Sequence, residues 1–262
     1  MSNPVFFTAP GTLDRQVPGS TFVLDGAEAR HAVTVRRLAV GERVDIADGA
    51  GRRLTGTVTA VAAGELTVEC SGLTVESWPV IRLVLVQALA KGDRDVLAAE
   101  TATELGIDAV IPWQAERSIV RWKVERAAKA HAKWQSVVTA AAKQARRAWI
   151  PEVRSLADAA GLQAAVAGAD LAVILHEDAL RPLRPVLEAW QARLGDRPPG
   201  EDTNGALEVL LIVGPEGGIS PREVARLCDA GAVTALLGHH VLRSSTAGPA
   251  ATVLASDILG RW

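Results

Sequence analysis

The sequence predicts an α/β protein in two parts: a small β-barrel-like segment over residues 1–75, then a mostly parallel α/β domain over 76–262. Up to about residue 75, short runs of β-formers are separated by glycine-containing turns. Beyond that point, apolar runs such as "VIRLVLVQAL" and "LEVLLIVG" are continuous enough for strands buried on both faces. They alternate with helical patterns, and that alternation implies parallel strands joined by crossover helices.

In chain order, "STFVLD", "ERVDIAD", "RLTGTVTAV" and "ELTVEC" read as the strands of the first part. One helix, "GAEARHAVTVRRL", interrupts them, with Asp25 placed to cap it. After "SGLTVESWP" come the buried strand "VIRLVLVQAL" and a helix, "DRDVLAAETATELG", capped by Asp93 and stopped at Gly106. "DAVIPW" is the next strand and 122–149 the next helix. "DLAVILH" and "LEVLLIVG" follow as strands around a helix near "RPVLEAWQARLG". "GDRPPGEDTNG", residues 195–205, has the composition of a mobile surface loop. "AVTALLG" and a helix from about Thr246 close the chain. No internal repeat of solenoid period is present.

At 262 residues, 48% hydrophobic and 22% charged, the chain has the composition of a soluble globular protein with a sizeable core. No apolar run is long enough to span a bilayer, and the first residues lack the layout of a signal peptide, so the expected location is the cytoplasm. Cys70 and Cys228 stand far apart without metal-ligand spacing, which argues against a disulfide framework or a zinc site. Net charge is −2, yet ten basic residues and only two acids lie between Arg117 and Arg154. Arg126, Lys129, Lys133, Ser136, Ala140, Lys143 and Arg147 recur at steps of three and four, so they share one helix face. A basic stripe without interleaved acids suits a phosphate backbone, or else forms a solvated charged face. Arg30, His31, Arg36 and Arg37 gather on the short helix of the first part.

The stretch "LLIVGPEGGISPREV", residues 210–224, ends an apolar run in a glycine-rich turn. Ser220, Pro221 and Glu223 then read as a capping box with proline at the first helical position. Such a turn lets backbone groups approach a ligand closely, and it is equally compatible with a tight strand-to-helix connection. "LLGHHVLRSSTAGPAA" and "ILHED" are two more polar strand ends. In open α/β sheets ligands sit outside the carboxyl ends of strands, so the three could surround one pocket. Arg243 is a candidate for holding a phosphate or offsetting negative charge, against the plainer reading of a surface ion pair. Dinucleotide and P-loop fingerprints, the G-x-S-x-G elbow and H-E-x-x-H are all absent.

Five blocks occur in one order: "RHAVTVRRLAVGERVDIADGAG", "QALAKGDRDVLAAETATELGIDAVIPWQAERSIVRW", "KWQSVVTAAAKQARRAWIPEV", "LLIVGPEGGISPREV" and "LGHHVLRSSTAGPAA". Nearly end to end, this resembles the ribosomal RNA small subunit methyltransferase E family of the SPOUT methyltransferases. The resemblance implies a PUA-like RNA-binding barrel over 1–75. It also implies a SPOUT domain with a parallel sheet and a deep trefoil knot over 76–262, assembled as a homodimer. The implied reaction is S-adenosylmethionine-dependent methylation of N3 of one uridine (1498 in bacterial numbering) of 16S ribosomal RNA, with no metal. The implied cofactor residues are Gly214, Pro215, Glu216, Gly217, Gly218, Leu237, Gly238, Leu242, Arg243 and Thr246, with Leu175 and His176 on the rim. Arg243 is the catalytic candidate, through stabilisation of a uracil anion. The residues expected to face RNA are Arg30, Arg36, Arg126, Lys129, Lys133, Gln144 and Arg147, the last two facing either RNA or the dimer partner.

The chain departs from the family pattern at Val5, at His239-His240 and at Ser245, positions where the family often has Arg, Pro-Arg and Glu. The general base is therefore open between His239, His240, Glu216, water and solvent. Three other readings compete. A ribose 2′-O-methyltransferase would need an asparagine-containing motif that "RSSTAGPAA" lacks. A non-catalytic RNA-binding or ribosome-assembly factor is disfavoured by the intact "GPEGG". A dinucleotide-binding oxidoreductase would need a glycine fingerprint that "QALAKGD" does not supply.

Overall fold

The computed structural model describes residues 3–194 and 206–262, and the loop expected over 195–205 lies outside the described residues. The chain divides into two compact units, Met1–Trp78 with Ala142–Ile150, and Pro79–Ala141 with Pro151–Trp262. The segment 142–150 has no counterpart in a linear division at residue 75.

The first unit is a five-stranded sheet in the order β1-β3-β4-β5-β2. Its strands are β1 (Val5–Phe7), β2 (Thr21–Leu24), β3 (Arg43–Ala47), β4 (Arg52–Ala62) and β5 (Glu65–Val75). β1 pairs parallel with β3 and the remaining pairs are antiparallel. Alternate residues such as Phe22, Leu24, Val44, Ile46, Leu66 and Val68 point inward and form one core. The helix expected over 26–38 is two short pieces: α1 (Gly26–Arg30) and a π-helical turn over His31–Val35. Asp25 holds the cap position without a side-chain capping bond. In the same unit Trp149 stacks on Trp78 at 3.9 Å between ring centroids. Its indole N–H donates to the Glu76 carbonyl at 2.8 Å.

The second unit is a six-stranded parallel sheet in the order β11-β9-β10-β6-β7-β8. The strands are β6 (Ile81–Ala88), β7 (Ala109–Trp113), β8 (Glu152–Val153), β9 (Leu171–Leu175), β10 (Leu207–Val213) and β11 (Val233–Ala235). Its helices are α2 (Arg94–Glu104), the α3 helix (Val124–Gln144) up to Ala141, α4 (Ala159–Gly168), α5 (Leu183–Leu194), α6 (Pro221–Asp229) and α7 (Ser244–Ile258). Val84, Val86, Ala172, Ile174, Leu210 and Ile212 face Leu162 and Val166 of α4 and Leu227 of α6. The opposite face carries α2 and α7, where Gly248 sits so close to β6 that a Cβ would lie 2.8 Å from Leu85 Cδ1. Covered on both faces, the central strands have to be continuous apolar runs.

Local details differ from expectation for physical reasons. Asp93 precedes α2 in the left-handed region (φ 55), not in the extended conformation that side-chain capping requires, and makes no capping bond. Its carboxylate pairs with Lys133 at 2.7 Å instead. The long helix expected over 122–149 ends at Gln144, and Arg146 at φ 55 then turns the chain out of the helix. β1, β8 and α4 are short or small-residue segments that sequence pattern did not single out.

Candidate functional site

Because all six strands are parallel, the carboxyl ends of β9, β10 and β11 open at one edge of the sheet. There lies a cavity of about 960 Å³. Its lining includes Leu175, His176, the whole 213–219 turn, 236–244 and Ala247, joined by Arg94, Arg117, Glu177 and Asp178. Every residue named above for the cofactor lies in that lining except Thr246, which is exposed on the first turn of α7. The Thr246 N–H donates to the Arg243 carbonyl at 2.8 Å, so it supports the turn from which Arg243 projects.

The glycine turn is built from close contacts. A Cβ on Gly214 would lie 2.6 Å from Ile219 Cγ1, so only glycine lets the turn fold back on its own end. Gly218 has φ +71, in the left-handed region that favours glycine. Behind the turn, Ser220 and Glu223 form the expected capping box, with Pro221 in the first turn. The buried Glu223 carboxylate also accepts the Glu116 N–H at 2.8 Å. Glu116 in turn accepts Ser220 Oγ at 2.7 Å and Arg222 Nε at 2.9 Å. The bonds from Ser220 and then Arg222 hold its carboxyl below the usual carboxylate range.

The carboxylate inside the turn, Glu216, accepts the Lys91 N–H at 3.1 Å and Arg94 Nη1 at 3.2 Å. Arg117 Nη1 donates to the Gly217 carbonyl at 3.0 Å. Neither arginine was singled out from sequence. The available signal was position, since each follows the carboxyl end of a strand, β6 or β7.

Arg243 caps α7 with its backbone, and its carbonyl accepts the N–H groups of Thr246 and Ala247. Ser244, in the cavity lining, is buried and its hydroxyl finds no partner among the described residues. His176 Nδ1 accepts the Asp178 N–H at 3.2 Å, which in the neutral ring leaves the proton on Nε2. His239 and His240 are exposed along the same wall.

The residues assigned to RNA are distributed over both units. In the first, Arg30, Arg36 and Gln144 are exposed and Arg147 is half-buried. Lys143, counted in the stripe, pairs there with Glu28 at 2.7 Å and lies over the Phe6 ring at 4.8 Å. In the second unit Arg126, Lys129 and Lys133 are exposed on α3, Lys133 through its bridge to Asp93. Counting acids along the chain missed these partners, because Glu28 and Asp93 arrive from elsewhere in the sequence. Among the described residues no helix is long and apolar enough to cross a membrane, and no cluster of three metal-ligating side chains is found.

Residues 76–256 match the family model of an RNA methyltransferase domain, and residues 24–69 that of an RNA methyltransferase PUA domain. The class is therefore an RNA methyltransferase with a PUA domain. Ribosomal RNA small subunit methyltransferase E of Mycobacterium bovis is 38% identical over 250 residues, covering 93% of this chain and 89% of that protein. The Bacillus subtilis protein of the same name is 28% identical, covering 87% and 86%. A crystal structure of ribosomal RNA small subunit methyltransferase E from Neisseria gonorrhoeae, bound to S-adenosyl methionine, superposes with a TM-score of 0.76 at 26% identity. It covers 98% of both chains. The chain belongs to the ribosomal RNA small subunit methyltransferase E family.

Proposed function

We propose that this chain transfers a methyl group from S-adenosylmethionine to N3 of one uridine of 16S ribosomal RNA in the small subunit, as a metal-independent cytoplasmic homodimer. The observation that carries the reading is the roughly 960 Å³ cavity, with its glycine turn and Arg243, in a chain of this family. One feature of the lining fits a polar ligand: the buried Ser244 hydroxyl, which lacks a protein partner among the described residues. On this reading Gly214, Pro215, Gly217, Gly218, Leu237, Gly238 and Leu242 hold the cofactor, Leu175 and His176 form the rim, and Thr246 acts through the Arg243 backbone.

S-adenosylmethionine supplies a methyl group already activated on a sulfonium, so the protein's tasks are positioning and charge. Uridine N3 carries a proton at neutral pH; passing it to His239, His240 or solvent water leaves an anion spread onto the flanking carbonyl oxygens, and methylation of that anion would release S-adenosylhomocysteine. The Arg243 guanidinium offers a permanent charge and a planar set of donors for that anion. The walled cavity would contribute by holding the uridine against the methyl donor.

On this reading residues 1–75 form the PUA-like RNA-binding part and 76–262 the methyltransferase part, beside family matches at 24–69 and 76–256, and both parts contribute RNA contacts. Arg30, Arg36, Gln144 and Arg147 in the first unit, and Arg126, Lys129 and Lys133 in the second, contact RNA. We further infer the trefoil knot of the SPOUT fold from the family resemblance, with the 214–219 and 237–243 loops that line the cavity as its knotted loops.

The test uses labelled S-adenosylmethionine, purified protein and small subunits lacking the modification, followed by nucleoside mass spectrometry of the 16S RNA. 3-Methyluridine is the expected product. Label in another nucleoside would discard the uridine-N3 specificity, and absence of both label and cofactor binding would discard the enzyme.

A further inference from the structure

We propose that Arg94 and Arg117 are positioning residues that clamp the glycine turn 214–218 from two sides, and that Glu216 belongs to this clamp instead of touching the cofactor. The inference rests on the cofactor reading above for its consequence, but not for its geometry.

The turn has little to hold it from within. The Gly218 N–H donates to the Pro215 carbonyl at 2.9 Å, and the remaining anchors come from other strand ends. From β6 comes the Lys91–Arg94 loop: its Lys91 N–H and Arg94 guanidinium both reach the same Glu216 oxygen. From beyond β7 comes Arg117, whose guanidinium reaches the Gly217 carbonyl. A Cβ on Gly217 would lie 3.3 Å from Arg117 Cβ, so the arginine stem packs directly against the turn. A turn rich in glycine loses much conformational entropy when ordered, and external anchors supply the compensating interactions.

The β6 side is itself braced. Gly92 and Asp93 are both left-handed, at φ 63 and 55, which is unfavourable for aspartate. Two contacts hold this shape: Asp93 pairs with Lys133, and the buried Asp95 carboxylate accepts the Ala90 N–H at 3.2 Å. The bend directs Arg94, the first residue of α2, toward the turn. Glu216 is thereby committed: one oxygen takes two donors, one of them charged. A carboxylate so engaged explains why an acid stands in a glycine turn without requiring that it meet the ligand.

The test compares Arg94→Ala, Glu216→Ala and the double variant, together with Arg117→Ala and Arg117→Lys, in the full chain. Amide hydrogen exchange of residues 217–219 is read first, without cofactor. Each alanine variant is expected to speed exchange there while the melting temperature holds, with Arg117→Lys intermediate. S-adenosylmethionine titration should then show dissociation constants raised roughly tenfold, as for removal of a charge-assisted hydrogen bond. The double variant should be no worse than Glu216→Ala alone, because both break one interaction. The charge exchange Arg94→Glu with Glu216→Arg should restore part of the affinity. Unchanged exchange at 217–219 overturns the clamp. So does full additivity of Arg94→Ala and Glu216→Ala, which would mean that Glu216 touches the cofactor itself. If the unaltered protein bound no S-adenosylmethionine, the cofactor reading would fail, while the exchange result would still decide the clamp.

Discussion

Replacing Gly214 by alanine tests the architecture of the site at its tightest point. Gly214 does not lie in the left-handed region, so the substitution carries no backbone penalty and its effect is purely steric. The new Cβ would stand 2.6 Å from Cγ1 of Ile219, with Ile219 Cδ1 and the Ile219 amide nitrogen each at 3.4 Å. Ile219 is 5% exposed and packed in the core beneath the sheet end, so it cannot swing aside cheaply. Overpacking of this kind costs about 1–3 kcal/mol. Alanine recovers about 0.4–1 kcal/mol by restricting the unfolded chain, which leaves a central net loss of about 1.3 kcal/mol. For a chain of this size that is a fall in melting temperature of roughly 3–5 °C. Displacement of the turn by a few tenths of an ångström should also weaken S-adenosylmethionine binding, measured by calorimetric titration. In an Ile219→Ala background, which removes Cγ1, adding Gly214→Ala should cost nothing further. A full additional penalty there would show that the close approach of Gly214 to Ile219 is not the cause.

Arg243→Ala should keep the melting temperature and nearly abolish methyl transfer; unchanged turnover would remove Arg243 from the chemistry. Reversing Lys129 and Lys133 to glutamate should weaken RNA binding and lower the salt slope by about one for each phosphate no longer neutralised, and an unaltered slope would reject α3 as an RNA surface. The bond from Arg154 is the main cause holding the Glu208 carboxyl below its ordinary value near 4.5. With the folded value depressed, this pair stabilises the fold above the unfolded value, and the contribution disappears as pH falls through the folded one. Urea unfolding of Glu208→Gln should therefore show less stability than the parent at pH 7, with the gap closing as pH falls below the ordinary carboxylate value. A gap that stayed constant across that range would mean the pair's charge is not what stabilises.

Much of the molecule can be read from local pattern alone. The doubly buried strands 81–88 and 207–213 follow from continuous apolar runs, because only a sheet covered on both faces tolerates them. The capping box at Ser220 and Glu223 was legible because its two partners stand three residues apart. The family resemblance named cofactor positions that all line the cavity, Thr246 excepted.

Other features depend on residues far apart in sequence, and only the tertiary structure decided them. Asp93 has the residue type of a helix cap, yet the left-handed backbone there turns its carboxylate to Lys133, forty positions away. Lys143 belongs by period to a basic stripe, yet Glu28 meets it from the first unit's own helix. The acid in "GPEGG" has no local reason at all: its partners, Lys91 and Arg94, are more than 120 residues earlier and arrive because β10 pairs with β6. Sequence determined the elements, since backbone and side-chain preferences act over a few residues. The roles of the charges were set by parallel strand pairing, which places distant strand ends side by side at one edge of the sheet.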